Sequence, residues 1–273
     1  MESLFVILTL HVLEIMKNID KTAIIKSPCK IDNSVHIGAY SIIGPNVQIG
    51  KNTWIDSHVI IQGECFIGNN NKFFKFSNIG DEPQTIKNKN IKNSLFIGHN
   101  NIFREGTSVH KGTTRNNGLT SIGNNNYFMV NSHIAHDCLL GNNITFANNV
   151  SIAGHVTIGD FVNLSGFVGI HQYVCIGDYS FAAGGSIIYK DIFPFTLVAG
   201  YPAKTRKLNL IGLKRQNFKK YNILYLKKIY KLIFKSNLTI NQIINYLNTE
   251  KDTCKEKEII IKFLKLSKRG ITR

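Results

Sequence analysis

The stretch VHIGAYSIIGPNVQIGKNTWIDSHVIIQGECFIG occupies residues 35–68, and in it an isoleucine returns at every sixth position: Ile37, Ile43, Ile49, Ile55, Ile61 and Ile67. The same step reaches back to Ile31 and forward to Phe73 and Ile79. After an interruption it resumes at Ile97, Phe103 and Val109, and after a second at Ile122, Phe128 and Ile134, continuing unbroken to Ile188. Apolar residues make up only 43% of the chain, so chance would break such a series within a few steps. Two positions before most of these stands a small or β-branched residue, such as Ser41, Val47, Thr53, Val59, Cys65, Val150, Val156, Val162 and Val168. Residues two apart on a strand share a face, so both columns point inward. Glycines that follow the large apolar residue (Gly38, Gly44, Gly50, Gly68) and asparagine clusters at 69–71 and 124–126 predict turns with positive φ between the strands. A strand and a turn every six residues is the repeat of a parallel β-helix.

Six-residue repeats of this kind resemble the hexapeptide signature of the left-handed β-helix, in which three hexads close one triangular coil of about 18 residues. The expected architecture is an all-β left-handed parallel β-helix, the hexapeptide-repeat prism, with a C-terminal α-helical domain. Residues 16–206 are assigned to the prism, with external loops near 80–96 and 111–119 where the repeat lapses. Polar excursions from a regular scaffold are where binding usually resides. Beyond Lys190 the period changes to that of helices: Ile223, Leu226, Tyr230 and Ile233, then Ile240, Ile243, Ile244 and Leu247, then Ile260, Phe263 and Leu264. Residues 207–273 are therefore read as a helical domain. Residues 1–15 are read as an N-terminal extension or a misplaced start, because their apolar run is too short to span a bilayer, which takes about 20 residues, and lacks a signal-peptide pattern. No integral membrane insertion is expected.

Five widely spaced cysteines without a C-x-x-C pair point away from a disulfide framework or a zinc ribbon, and toward the cytoplasm. Cys29, Cys65 and Cys138 fall in the inward small-residue column and read as core filler. The net charge of +16 is concentrated in residues 207–273, which hold 17 Lys and Arg against 4 Asp and Glu. A basic segment attracts an acidic partner, whether protein, anionic lipid or nucleic acid, although compositional drift toward lysine would give the same count.

The stretch NSHIAHDCLLGNN at 131–143 crowds His133, His136 and Asp137 together. Eighteen residues on from His136 stands Gly154, followed by His155, and His171 with Gln172 lies one coil beyond Ala153. An 18-residue coil thus predicts that His136, Gly154, His155, His171 and Gln172 converge along one edge. Histidine titrates near neutrality and can take a proton from a hydroxyl, while a backbone N–H unobstructed by a side chain can stabilise an oxyanion; together they suit acyl transfer. Asp137 can hold the imidazole in its productive tautomer only if a corner separates it from His136, since neighbours on a flat strand point to opposite faces. His133 flanks the inward Ile134, so it either faces solvent or lines a cleft between subunits. Zinc bound by histidines of neighbouring coils is the rival reading. The close pair His133-x2-His136 differs from the His-x4-His spacing of the γ-class carbonic anhydrases that use this fold.

HIAHDC at 133–138, AGH at 153–155, HQY at 171–173, IGDEPQTIK at 79–87, the GLKR that follows Asn209 and the terminal RGITR resemble the UDP-N-acetylglucosamine 3-O-acyltransferases of lipid A assembly. The resemblance runs from about residue 16 to the end. It implies transfer of a 3-hydroxyacyl group from acyl carrier protein to the sugar's 3-hydroxyl, the first step of lipid A biosynthesis, by a homotrimer without cofactor or metal. It implies His136 as general base supported by Asp137, and the Gly154 N–H as oxyanion donor. His133, His155, His171 and Gln172 would line the substrate cleft. Lys87, His110, Asn209 and Arg215 would contact the sugar nucleotide, and Gly184, stacked over Gly166, would end the acyl groove. Acyl carrier protein would be the partner of the basic tail, and no nucleic acid is implied. Thr85, Pro202 and Ile211 depart from the family's usual aspartate, histidine and acidic residue. The related N-acyltransferase of the same pathway, the next-best match, usually carries an extra N-terminal domain for which residues 1–21 leave no room.

Overall fold

The computed structural model describes residues 18–85, 93–113, 118–250 and 254–273. They fall into two compact units, one ending at Cys138 and the other running from Leu139 to Arg273. Both are built from coils of a left-handed parallel β-helix, and the second also carries the helices.

In the first unit two-residue strands pair in parallel with partners 18 positions away, as in Ile24↔Ile42, Lys30↔Gln48 and His36↔Trp54. The predicted column Ile37, Ile43, Ile55, Ile61, Phe73 and Ile79 is fully buried, as are Phe103, Val109, Ile122, Phe128 and Ile134. Phe73, Phe103 and Phe128 stack in sequence with centroids 4.8 and 5.0 Å apart. Each such side chain taken from water contributes about 1.5–3 kcal/mol. Cys65 and Cys138 are buried in the second inward column, whereas Cys29 is only half-buried.

The two lapses in the repeat are insertions that every face of the coil registers. Partners lie 30 apart at Asn78↔Ser108 and Ile102↔Lys72, then 25 apart at Ser108↔His133 and Ile102↔Tyr127. The first insertion is shorter than the expected 80–96. Ser94–Ile97 is already strand, because Leu95 and Ile97, two apart, fill both inward columns and are buried.

The turns correct the glycine reading. Positive φ falls three places after the large apolar residue and mostly on non-glycine residues, among them Tyr40, Asn46, Asn52, His58, Asn70, Phe76, Asn125 and Asp137, although Gly106 and Gly185 hold the same position. Gly38 and Gly68 serve close approach instead. A Cβ on Gly38 would sit 2.6 Å from Ser57 N, and one on Gly68 would sit 2.5 Å from Gly98 O. Left-handed φ is costly for bulky residues, and the corner aromatics pack one above another, as Tyr40 on His58 and His58 on Phe76. Of the asparagines at 69–71, only the middle one turns the corner. Asn71, with Asn101 and Asn126, points inward: Asn71 Oδ1 accepts from Asn101 N at 2.9 Å, and Asn101 Oδ1 accepts from Asn126 N at 2.9 Å.

The second unit keeps the 18-residue register through Thr145↔Asn163 and Asn163↔Phe181. Its last coil leads into an antiparallel pair, Thr196–Gly200 with Ala203–Leu208. Four helices follow: α1 (Leu210–Arg215), α2 (Lys220–Lys235), α3 (Ile240–Thr249) and α4 (Lys255–Leu266). A capping box between Thr239 and Gln242 starts α3. Leu226, Ile229 and Ile233 of α2, Ile243 and Leu247 of α3, and Ile260, Phe263 and Leu264 of α4 share one core with Cys175, Phe193, Phe195 and Leu208. The change from strand to helix near 206–207 falls inside the second compact unit, where helix and strand residues share this core. The terminal RGITR is held there as well. Asp191, fully buried, accepts from Ser267 Oγ at 2.8 Å and from Arg269 N at 3.0 Å, and Thr272 N donates to Asp191 O at 2.8 Å.

Candidate active site

Asp137 is the corner that the sequence left open. Its φ of 60° turns its side chain to the same side as that of His136, and His136 Nδ1 lies 2.7 Å from Asp137 Oδ2. A carboxylate only accepts, so Nδ1 carries the proton of this bond and Nε2 is the basic nitrogen. Asp137 is almost wholly buried while His136 keeps partial access to solvent. Three further bonds hold the carboxylate's residue: Thr113 N donates to Oδ1 at 2.8 Å, Thr113 Oγ1 lies 2.5 Å from Oδ2, and Asp137 N donates to Thr120 Oγ1 at 2.8 Å.

His133 is neither solvated surface nor unattached. Its Nδ1 lies 2.8 Å from Ser108 Oγ, and its ring meets that of His110 edge-on at 5.0 Å. Burial, then the neighbouring His110 and His136, push its pKa down to about 4. Burial also lowers that of His110, with Asp81 opposing. The Nδ1 of His110 is buried and finds no hydrogen-bond partner among the described residues. Asp81, paired across the strands with His110, accepts from Gln62 Nε2 at 2.8 Å and Asn78 Nδ2 at 3.0 Å. Burial acts to raise its pKa, but these bonds and one from the Glu82 N–H hold it below the usual carboxylate range. Lys111 is buried and pairs with Glu82 at 2.7 Å.

The first unit thus brings together His110, His133, His136 and Asp137, and adds Gln62, Asn78, Asp81, Ser108, Thr113 and Thr120, which sequence reasoning missed. Ser108 pairs with His133 at a separation of 25, not 18, so the coil arithmetic skips it. Lys87 lies outside the described residues, as do residues 1–17.

In the second unit Gly154 is buried and its carbonyl accepts from Tyr173 N at 3.2 Å. His155 stands at a corner with φ 63° and stacks on Tyr173 at 4.4 Å with the planes within 7°. Tyr173 is 18 residues on, a signal the sequence offered. His171 and Gln172 are exposed. A cavity of about 510 Å³ is lined by Phe161, Tyr179, Phe181, Leu197, Asn209 and Arg215. Asn209 also caps α1, accepting from Gly212 N at 3.2 Å and donating to Tyr179 O at 2.9 Å. Ile211 is exposed at its edge. A Cβ on Gly184 would meet nothing nearer than Gly166 O at 3.4 Å, and neither glycine has positive φ.

Comparison with known proteins gives matches over more than nine-tenths of the chain. The profile of the family described as UDP N-acetylglucosamine O-acyltransferase, domain 2, matches residues 191–272. An acyl-[acyl-carrier-protein]–UDP-N-acetylglucosamine O-acyltransferase of a Psychrobacter species is 48% identical over 94% of this chain and 100% of its own length. The protein of that name from Syntrophobacter fumaroxidans is 45% identical over 93% of this chain and 99% of its own. The solved structure of UDP-N-acetylglucosamine O-acyltransferase from Moraxella catarrhalis superposes with a TM-score of 0.91 at 39% identity, over 94% of this chain and 100% of that one. Similarity of this depth, carried through both units, makes the chain a member of the acyl-[acyl-carrier-protein]–UDP-N-acetylglucosamine O-acyltransferase family.

Proposed function

We propose that the protein transfers a 3-hydroxyacyl group from the thioester of acyl carrier protein to the 3-hydroxyl of UDP-N-acetylglucosamine, the first step of lipid A biosynthesis, and that it works as a cytoplasmic homotrimer. The observation that carries this reading is the 2.7 Å contact between His136 Nδ1 and Asp137 Oδ2. With Nδ1 so engaged, Nε2 is the atom that takes the hydroxyl proton. The sugar oxygen then forms a bond to the thioester carbonyl carbon, the C–S bond breaks, and the proton passes from Nε2 to the departing thiolate. Atoms and charges balance without an oxidant, a metal or a cofactor. Asp137 keeps the imidazole in one tautomer and offsets the imidazolium that forms. The family resemblance gives the Gly154 N–H the oxyanion, and His155, His171 and Gln172 a place along the substrate. A neutral His133 suits a cleft that must receive a polar sugar without presenting a second cation. Among the described residues no helix is long and apolar enough to cross a membrane.

The test is to incubate the purified protein with UDP-N-acetylglucosamine and 3-hydroxyacyl carrier thioesters, following the ester product and the released thiol. His136→Ala is expected to leave the folded assembly intact, as read by light scattering, and to lower turnover by roughly 10² to 10⁴. Activity should survive exhaustive chelation. Loss that zinc restores would support a metal site in place of the base, and substantial activity in His136→Ala would remove His136 from the mechanism.

A further inference from the structure

The second insertion is expected, as a polar excursion, to bind substrate. The residues described on either side of 114–117 carry a further role. After His110 the chain leaves the strand ladder with Lys111, Gly112 and Thr113 buried, and Gly118 closes the excursion by donating its N–H to Thr113 O at 2.9 Å. Gly112 N donates to Ser94 O at 3.3 Å, and a Cβ on Gly112 would sit 2.2 Å from Leu119 N, so the segment is pressed flat against the strand that follows it. This fixes Thr113 with its backbone N–H 2.8 Å from Asp137 Oδ1 and its hydroxyl 2.5 Å from Asp137 Oδ2, both bonds buried.

The two donors of one residue thus span both oxygens of the carboxylate that faces His136. We propose that Thr113 is a positioning residue for the acyl transfer: it fixes the plane of the Asp137 carboxylate so that Oδ2 meets His136 Nδ1, and the insertion exists in part to hold it there. A carboxylate has two rotatable bonds to the backbone, and a single contact to an imidazole leaves its plane undefined. Thr113 defines the plane by engaging both oxygens, and Thr120, bonded to Asp137 N, fixes the corner from which the carboxylate projects. Thr113 acts through Asp137 and needs no contact with substrate.

The inference rests on the acyl-transfer reading, and the experiment separates the two. Thr113→Val removes the hydroxyl and keeps the N–H bond; Thr113→Ala, which adds no bulk, is carried beside it; Thr113→Ser restores the hydroxyl. Each is assayed with UDP-N-acetylglucosamine and a 3-hydroxyacyl carrier thioester after its fold is checked by circular dichroism. Val and Ala are expected to lower kcat about 10-fold or more with KM for the sugar nucleotide within about twofold, and Ser to return kcat close to the wild type. Wild-type kcat in both Val and Ala, or a Ser variant as slow as Val, would overturn the role. So would failure of Val and Ala to fold while Ser folds, which assigns Thr113 to structure. An inactive wild type would instead overturn the acyl-transfer reading itself.

Discussion

At position 184 the coil leaves room for a Cβ. That Cβ would lie at ordinary contact distance from Gly166 O, and no left-handed φ reserves the position for glycine. The fold therefore does not require the missing side chains at 166 and 184, which favours a notch kept open for a ligand over a tight corner. If the far end of the acyl chain occupies it, Gly184→Met should leave stability unchanged and cut turnover on long 3-hydroxyacyl carriers relative to short ones. Each methylene shut out forgoes about 0.8 kcal/mol, so losing a few shifts preference by roughly one to two orders of magnitude. Equal slowing on every chain length would deny Gly184 that part. A second residue-scale expectation concerns His133. In the folded protein it takes its proton only near pH 4, whereas an unfolded histidine does so near 6.5. Between these values the unfolded chain binds more protons, so the stability due to neutral His133 is full above about 6.5 and is lost as pH falls toward 4. Denaturant unfolding at pH 7 and pH 5 should show a smaller loss in His133→Gln than in the wild type; equal losses would mean that His133 titrates normally. The residue types of the candidate site were legible because histidine and aspartate carry the chemistry wherever they stand. Their contacts were not, since whether Asp137 reaches His136 depends on one left-handed φ.

Between residues and whole units stands the coil, and its regularity explains what could be read ahead of the structure. The inward columns were legible because an 18-residue turn places every sixth side chain on the same axis. Two things escaped. The insertions change the partner spacing to 30 and 25, which hid the pairing of Ser108 with His133 and the reach of Thr113 to Asp137. The asparagine clusters looked uniform, although Asn70 turns a corner and Asn71 enters the core. That inward asparagine ladder makes its own prediction. Asn101 is fully buried, accepts from Asn126 N, and donates Nδ2 to Asn71 Oδ1 at 3.1 Å and to Gly123 O at 2.9 Å. Asn101→Ala strips these partners from groups that water cannot reach, and should cost about 1–3 kcal/mol in denaturant unfolding at an unchanged m-value. Asn101→Leu should not restore it, because a side chain of similar size without polar atoms leaves the same backbone groups unmet. A loss below about 0.5 kcal/mol in both would mean that the ladder is held by other bonds.

Over the whole molecule the charge is lopsided, and the second unit localises it. A groove of about 1030 Å³ is lined by Arg206, Lys207, Lys227, Lys228, Lys231 and Lys235 together with Leu224, Tyr230 and Tyr246. Lys228 is tied to Glu250, which raises its pKa, while the remaining cations line the groove with no carboxylate among them. The sequence disclosed the excess of lysine but not this clustering, which depends on how α2 sets Lys227, Lys231 and Lys235 against the strand Ala203–Leu208. Drift in composition would scatter lysines over every exposed face; a lined groove suits an acidic partner, and the acyl-transfer reading supplies one in the carrier protein. Charge of this kind governs encounter with the partner more than the chemical step. Raising the ionic strength from 0.1 M to 1 M shortens the screening length from about 10 to 3 Å, so KM for the carrier thioester should rise steeply while kcat at saturation holds. Lys227→Glu with Lys231→Glu should raise that KM about tenfold or more at low salt, leave KM for UDP-N-acetylglucosamine unchanged, and converge with the wild type at high salt. If the carrier protein docks in this groove, double-stranded DNA added at low salt should compete poorly with it. If carrier KM ignores both salt and the double substitution, the lysines of the groove are surface composition and the carrier docks elsewhere.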